Sequence, residues 1–291
     1  MELLKAIFLG FIQGVTEFLP VSSSGHLAIF KNILGMEDVD ISFDILLHLG
    51  TLIAVSVVYW RDIARLFFDG VGIVVDSCAN IGMFFRMKFS GERLRYRRVI
   101  NSAYRKFALL VIVSTIPTGI IGVLGKGLIE KASASLLIPG VCLLITGTLL
   151  LISDNLPDGN KTPKRTTYGN AIFVGICQGI ATLPGISRSG TTIAAELFCG
   201  FRRDFAVKYS FIMSIPAVLG AAVLDLKDFG SEGLEGTDVF NYIVGMAVAA
   251  LVGYICIKTM LVVVKKKKFR YFAYYCYTIG MMAIIGHFVV A

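Results

Sequence analysis

A polar stretch set inside apolar sequence, and repeated 165 residues later, constrains the fold of this chain more than any other feature. Residues 10–27 read GFIQGVTEFLPVSSSGHL, and residues 175–193 read GICQGIATLPGISRSGTTI. At this offset, nine of the twenty positions from 6 to 25 are identical. A weaker similarity continues between 46–62 and 212–228. The chain is therefore predicted to consist of two related halves, each beginning with an interrupted apolar segment.

The composition is too apolar for a soluble domain. Of 291 residues, 56% are hydrophobic and 16% are charged, which is typical of a polytopic membrane protein. The net charge of +8 comes from Lys and Arg in short segments between apolar runs, so the expected partner is membrane lipid and no nucleic acid is expected. Six scattered cysteines without a CxxC pattern indicate neither a zinc site nor a disulfide framework.

Apolar run lengths separate spans from shorter segments, because crossing ~30 Å of hydrocarbon takes ~20 helical residues. Six segments approach that length: 43–60, 107–129, 132–153, 205–226, 239–264 and 271–290. The repeated stretches do not, since Glu17 and Pro184 interrupt them early, and broken helices at membrane depth must be buried in protein or line a cavity. We predict an all-α membrane protein with repeats 1–153 and 171–291, each holding a re-entrant pair (6–35 or 171–200) and three spans.

The distribution of Lys and Arg predicts the orientation in the membrane. Cytoplasmic segments are enriched in these residues, and the chain carries ten in 61–106, three in 154–170, three in 202–208 and five in 265–270. Both termini are then outside, and three spans between the re-entrant pairs give an inverted-topology repeat. Segment 66–85 contains Asp69, Asp76 and Asn80 and is predicted to be an interfacial amphipathic helix within a cytoplasmic loop 61–106. The parity argument fails if that segment spans.

The two polar turns, 20–26 and 184–192, are predicted to meet near the middle of the membrane. Each is rich in Ser and Gly and begins a helix, so backbone N–H groups and the positive helix end face the space between them. Arg188 adds a planar guanidinium suited to bidentate phosphate contact. The joint site is expected to bind an anion rich in oxygen atoms.

Glu17 argues against a simple anion site. Its carboxylate would repel phosphate unless it is protonated, holds a divalent cation or acts as a base, and His26 can exchange a proton near neutral pH. Hydrolysis is therefore favoured over mere binding. His48 and Glu196 each lie on an apolar helix in only one copy of the repeat, and for them a core or supporting role is favoured.

Two motifs resemble those of the bacterial undecaprenyl-pyrophosphate phosphatases, the bacitracin-resistance membrane phosphatase family. The first, Glu or Gln followed by three residues and Glu, is present as Gln13 and Glu17 and continues into PVSSSGH at 20–26. The second, PGxSRSxxT, is complete in 184–192. The resemblance covers essentially the whole chain. Gln13 departs from the many members that carry two carboxylates.

The resemblance implies hydrolysis of undecaprenyl pyrophosphate to undecaprenyl phosphate and inorganic phosphate. This would recycle the carrier lipid for cell-wall synthesis and confer bacitracin resistance, at a site open to the outer face of a bacterial inner membrane. It also suggests a requirement for Mg or Ca, held by Glu17 with Gln13. The predicted catalytic residues are Glu17, Ser23, His26 and Arg188, with Ser23 and His26 as alternative nucleophiles. The predicted substrate-binding residues are Gln13, Ser22, Ser24, Gly25, Gly185, Ser187, Ser189 and Thr192.

A polyprenyl-phosphate transporter or flippase is the alternative, because inverted repeats of broken helices also occur in secondary carriers. An anion channel lined by Arg188 is a weaker possibility. The set of Glu17, Ser23 and His26 favours the phosphatase, since a carrier has no evident need of a nucleophile and a base. A homodimer is possible.

Overall fold

The protein is all-helical over the residues that the structure, a computed structural model, describes: 2–33, 41–91, 94–133, 136–225 and 236–290. An isolated bridge between Lys161 and Phe201 is the one β-type pairing within them. The helices are α1 (Leu3–Phe18), α2 (Ser23–Ile33), α3 (Ile41–Val58), α4 (Trp60–Ser90), α5 (Ala103–Ser133), α6 (Leu137–Asp154), α7 (Tyr168–Ile180), α8 (Arg188–Phe198), α9 (Arg203–Asp225), α10 (Gly236–Lys265) and α11 (Arg270–Val290).

The two interrupted stretches form helix–turn–helix pairs, α1 with α2 and α7 with α8. Even α1, the longest of these helices at 16 residues, measures only about 24 Å at 1.5 Å per residue, short of the ~30 Å membrane core. It ends at Phe18 because Leu19 precedes Pro20 and is extended, with φ −72° and ψ 143°. Two short helical pairs therefore lie where the re-entrant pairs were predicted.

Six helices in the described part of the chain are long and apolar enough to cross a membrane: α4, α5, α6, α9, α10 and α11. The chain is thus a multi-pass membrane protein. Five of the six correspond to predicted spans. The predicted span 43–60 does not, because the apolar helix over Phe43–Val58 is shorter than the others. Helix α4 is a candidate span instead. The predicted number of six candidate spans is therefore confirmed, and one of the six predicted segments is corrected.

Helix α4 contains the helix predicted over 66–85 and is longer than predicted, since it extends over Trp60–Ser90 of the predicted loop 61–106. Asp69 and Asp76 do not interrupt it, because they lie one heptad apart on the face toward the N-terminal end of α5. There Arg105 Nη1 lies 2.6 Å from Asp76, and Arg105 Nε lies 3.6 Å from Asp69. No α4 residue is buried. The membrane orientation depends on whether α4 crosses, so the inverted topology stays a prediction.

Equivalent glycines pack the first helix of each short pair against a helix of the other half. A Cβ at Gly10 of α1 would lie 2.3 Å from the Gly245 carbonyl oxygen of α10. A Cβ at Gly175 of α7 would lie 2.1 Å from the Ser114 carbonyl oxygen of α5. Only glycine allows this approach. The halves are therefore interlocked, α1 against α10 and α7 against α5.

Helices α6 and α11 pack against each other and bring the two turns together. Asp154, at the end of α6, accepts hydrogen bonds from the amides of Phe269 (2.9 Å) and Arg270 (2.8 Å), where α11 begins. The first turn contacts α11, since Cys276 Sγ lies 3.5 Å from the Pro20 carbonyl oxygen. The second turn contacts α6 through a hydrogen bond from its Ser187 amide to Thr146 Oγ1 (3.1 Å). The α6–α11 pair thus supports both turns.

Candidate active site

The two turns share one local structure, as the repeat predicts. Ser22 Oγ accepts a hydrogen bond from the Gly25 amide (3.4 Å), and Ser187 Oγ accepts one from the Gly190 amide (3.1 Å). The third amide of each helix, Gly25 in α2 and Gly190 in α8, is therefore already hydrogen-bonded within its turn. The first two amides of α2 and of α8 have no hydrogen-bond partner among the described contacts. Four N–H donors are available at the two helix starts, as suits an anion site.

The two turns lie close together at Gly25 and Gly185. A Cβ on Gly25 would lie 3.6 Å from the Cα atom of Gly185. Gly185 has a positive φ of 91°, and a Cβ there would lie 2.3 Å from the Pro139 carbonyl oxygen, so no larger residue fits. Both glycines were predicted to bind substrate. The structure shows a packing role for Gly185, against Pro139 of α6, and substrate binding by the two glycines stays a prediction.

A carboxylate and a guanidinium join the two halves. Arg188 Nη2 donates to Glu17 Oε1. The other oxygen, Oε2, accepts from Ser23 Oγ at 2.6 Å and from Gln13 Nε2 at 3.1 Å. Glu17 is 6% exposed. A buried charge is tolerated when it is paired and hydrogen-bonded, and here the partners are residues of both motifs.

This cluster opens into a cavity of about 290 Å³. Its polar wall includes Glu17, Ser23 and Arg188. An apolar wall of the same cavity is formed on α9 by Ala217, Val218, Ala221 and Ala222. A cavity with one polar and one apolar wall suits an amphiphile that carries an anionic head group.

The other predicted substrate-binding side chains divide into two groups. Ser22, Ser24 and Ser187 line the cavity. Ser189 and Thr192 instead hold the second turn: Ser189 Oγ lies 3.5 Å from the Leu19 carbonyl oxygen, and Thr192 Oγ1 lies 2.6 Å from Ser210 Oγ.

His26 is not among the residues that line the cavity, although it contacts Ser22, which does line it. It is 3% exposed. Its Nδ1 atom lies 2.8 Å from the Ser22 carbonyl oxygen, and its Nε2 atom lies 2.7 Å from the Tyr275 hydroxyl. Its ring also stacks on Tyr275. Both ring nitrogens are therefore engaged, which suits a residue that supports the turn.

His48 of α3, for which the sequence favoured a core or supporting role, contacts two residues of the first motif. It lines the cavity, and its Nδ1 atom lies 2.9 Å from Gln13 Nε2 and 3.7 Å from Glu17 Oε2. The available signal was an ionisable residue within an apolar helix, which marks a functional position by default. Glu196 is fully buried and does not line the cavity.

The predicted divalent cation does not fit a site made of Glu17 and Gln13. Within the described residues no three His, Cys, Asp or Glu side chains are grouped to hold a metal ion. Both Glu17 oxygens already accept hydrogen bonds, and one of them faces the guanidinium of Arg188. A cation at Glu17 would have to displace Arg188, because like charges repel at this range.

Comparison with known proteins shows the family of the chain. The family model for the bacitracin resistance protein BacA matches residues 6–282. The chain belongs to the BacA family. A BacA relative from Halothermothrix orenii, named undecaprenyl-diphosphatase, is 42% identical over 285 residues, covering 98% of each chain. One of the same name from Alkaliphilus metalliredigens is 43% identical over 286 residues, again 98% of each. A third, from Methanosphaera stadtmanae, is 39% identical over 285 residues and 98% of each. The BacA match includes both turns and all the residues of the cavity.

Proposed function

We propose that this BacA-family protein is an integral membrane phosphatase. It hydrolyses undecaprenyl diphosphate to undecaprenyl phosphate and inorganic phosphate, recycling the carrier lipid for cell-wall synthesis and conferring bacitracin resistance. The observation that carries the proposal is the 2.6 Å hydrogen bond from Ser23 Oγ to Glu17 Oε2, beside Arg188 at the cavity wall. A hydroxyl held by a carboxylate next to anion-binding groups is the arrangement for phosphoryl transfer. The names of the relatives support the same substrate.

Substrate binding depends on the positive groups of the cavity. Arg188 and the four amides at the starts of α2 and α8 bind oxygens of the terminal phosphate, and the apolar wall on α9 accepts the start of the lipid chain. Because the guanidinium also contacts Glu17, it holds the phosphate close to Ser23. These donors also stabilise the charge that develops on the phosphoryl oxygens.

Ser23 Oγ attacks the terminal phosphorus. A bond from Oγ to phosphorus forms, the anhydride P–O bond breaks, and undecaprenyl phosphate leaves with the bond's electron pair. The proton of Ser23 passes to Glu17 Oε2. Glu17 then passes this proton to the leaving undecaprenyl phosphate and is a carboxylate again. Water attacks the phosphoserine while Glu17 takes a proton from it; the bond from Oγ to phosphorus breaks, inorganic phosphate leaves, and Glu17 returns the proton to Ser23 Oγ.

Ser23 is preferred to His26 as nucleophile on geometric grounds. Ser23 lines the cavity and contacts a potential base, whereas His26 is buried outside the cavity lining with both ring nitrogens engaged. His26 positions the turn in this proposal, through Ser22 and Tyr275.

We keep the requirement for Mg or Ca as a proposal, but with the ion bound to the substrate and not to Glu17 and Gln13. Mg²⁺ usually keeps several waters and is commonly bound through substrate phosphates, so the proposed ion would be held by the diphosphate oxygens and water, and Glu17 would stay paired with Arg188. We also propose that the protein resides in a bacterial inner membrane, with the site open to the outer face and both termini outside. The concentration of Lys and Arg in four segments supports that orientation. A homodimer stays a prediction.

Phosphate release by detergent-solubilised protein tests the proposal and separates it from the transporter alternative, because micelles leave no compartments for transport. We expect release with the wild type and loss of at least about a hundredfold with Ser23→Ala, as for a removed nucleophile. The matched control is Ser24→Ala, the neighbouring cavity serine, with a loss of less than about tenfold. Mass spectrometry of the acid-quenched protein should find phosphate on Ser23. Phosphohistidine at His26, or equal losses in both serine variants, would refute the assignment of Ser23.

A further inference from the structure

Three polar side chains, Gln13, Glu17 and His48, contact one another at the edge of the cavity. Gln13 Nε2 lies 3.1 Å from Glu17 Oε2 and 2.9 Å from His48 Nδ1. Gln13 is completely buried; its amide nitrogen contacts both neighbours, whereas its Oε1 atom has no hydrogen-bond partner among the described contacts. From sequence, Gln13 was predicted to bind substrate or metal, and His48 was predicted to have a core or supporting role.

The positions of the hydrogen atoms follow from this geometry. Glu17 pairs with Arg188, so its carboxylate is ionised and only accepts hydrogen bonds. The atom of Gln13 that faces Glu17 Oε2 must then be the amide nitrogen, because two oxygens at 3.1 Å would repel each other. The second hydrogen of that nitrogen faces His48 Nδ1. His48 Nδ1 is therefore an acceptor, and the ring proton is on Nε2.

His48 Nε2 is free to meet a ligand. Among the described contacts no residue is bonded to it, the ring lines the cavity, and 36% of the side chain is exposed. His48 comes from α3, whereas the other donors come from α2 and α8. The Nε2–H group of His48 therefore adds a donor from a third helix of the cavity lining.

We propose that Gln13 fixes neutral His48 in the Nε2–H tautomer, and that this N–H donates a hydrogen bond to a diphosphate oxygen of the bound substrate. The proposal deepens the phosphatase function and rests on it for the identity of the ligand. Gln13 is a positioning residue here, acting through His48. A glutamate at position 13 would instead accept a hydrogen bond from Nδ1–H, so the glutamine determines which nitrogen carries the proton.

The tautomer can be measured without any substrate. The chain has three histidines, so ¹⁵N-labelled histidine in detergent-solubilised protein gives few signals, and His48→Gln and His287→Gln assign them. We expect His48 to carry its proton on Nε2 in the wild type. In Gln13→Glu we expect Nδ1 to gain a proton. A wild-type His48 protonated on Nδ1 would overturn the proposal, as would a pattern that Gln13→Glu leaves unchanged.

The ligand contact is tested by two amide substitutions that reproduce different ring nitrogens. The amide of His48→Asn reaches the position of Nδ1, so it keeps the contact to Gln13 and loses the donor to the ligand. The amide of His48→Gln reaches the position of Nε2 and keeps that donor. We expect His48→Asn to bind inorganic pyrophosphate roughly three- to tenfold more weakly than His48→Gln, as for one neutral hydrogen bond, with a matching rise in KM and a smaller change in kcat.

Equal affinities in the two variants, or weaker binding by His48→Gln, would leave His48 a purely structural role and refute the contact. Failure of the phosphatase proposal looks different. A wild type that binds pyrophosphate and shows the Nε2–H tautomer, yet releases no phosphate from a polyprenyl diphosphate, would reject the function and retain this inference.

Discussion

Arg188→Lys tests the central electrostatic element of the site while keeping its charge. Arg188 is 23% exposed, reaches the cavity and pairs with Glu17 Oε1 through Nη2. Lysine can restore the pairing with Glu17, so we expect the variant to fold. It cannot also offer a second, rigidly placed N–H group to the phosphate, because an ammonium is a point charge and a guanidinium is a planar fork.

The expected loss can be estimated from the contact removed. A hydrogen bond to a charged group contributes about 1.5–3 kcal/mol. At about 1.4 kcal/mol per factor of ten, its removal corresponds to a loss of roughly ten- to 150-fold in kcat/KM. Because the donor stabilises charge that increases in the transition state, kcat should fall at least as much as KM rises.

The assay is phosphate release from a polyprenyl diphosphate by purified protein in detergent, with thermal unfolding measured in parallel. The matched control is Arg202→Lys, since Arg202 is exposed, pairs with Asp204 and lies outside the cavity. The control should keep wild-type turnover. An Arg188→Lys variant with near-normal kcat and KM would refute the bidentate role and reduce Arg188 to a structural partner of Glu17.

Three further outcomes are expected. Gly10→Ala should lower the free energy of unfolding by about 1–3 kcal/mol, because its Cβ would lie 2.3 Å from the Gly245 carbonyl oxygen. The control Gly119→Ala, with open space around the residue, should be neutral or stabilising. Equal effects of the two substitutions would contradict the close packing of α1 on α10. Asp154→Asn should lower the stability of the protein in thermal unfolding by about 1–2 kcal/mol, because only one acceptor oxygen remains for the two amides at the start of α11. An unchanged Tm would show that these hydrogen bonds between α6 and α11 are dispensable. In a cysteine-free background, a cysteine at either terminus should react with an impermeant thiol reagent in intact cells and one in 155–167 should not, whereas protected termini would refute the inverted topology.

Much of the fold could be predicted because membrane helices are determined by local sequence. Apolar run length predicted five of the six candidate spans, and the prolines after α1 and before α8 predicted both short pairs. Helix α4 could not be assigned in this way. Its aspartates look like interruptions in sequence, and only the ion pairs with Arg105, a residue about 30 positions away, show how a continuous helix accommodates them.

The candidate site, too, was predicted from the sequence only in part. The repeat and its composition determined by themselves that Glu17, Ser23 and Arg188 belong together, because polar and charged residues in apolar surroundings must find one another or a ligand. Tertiary structure decided which neighbours complete the site. His26, adjacent in sequence, contacts Tyr275 and does not line the cavity, while His48 of α3 reaches Gln13 and the cavity. The side on which a residue faces depends on how the helices pack, and a single sequence carries no local signal for that.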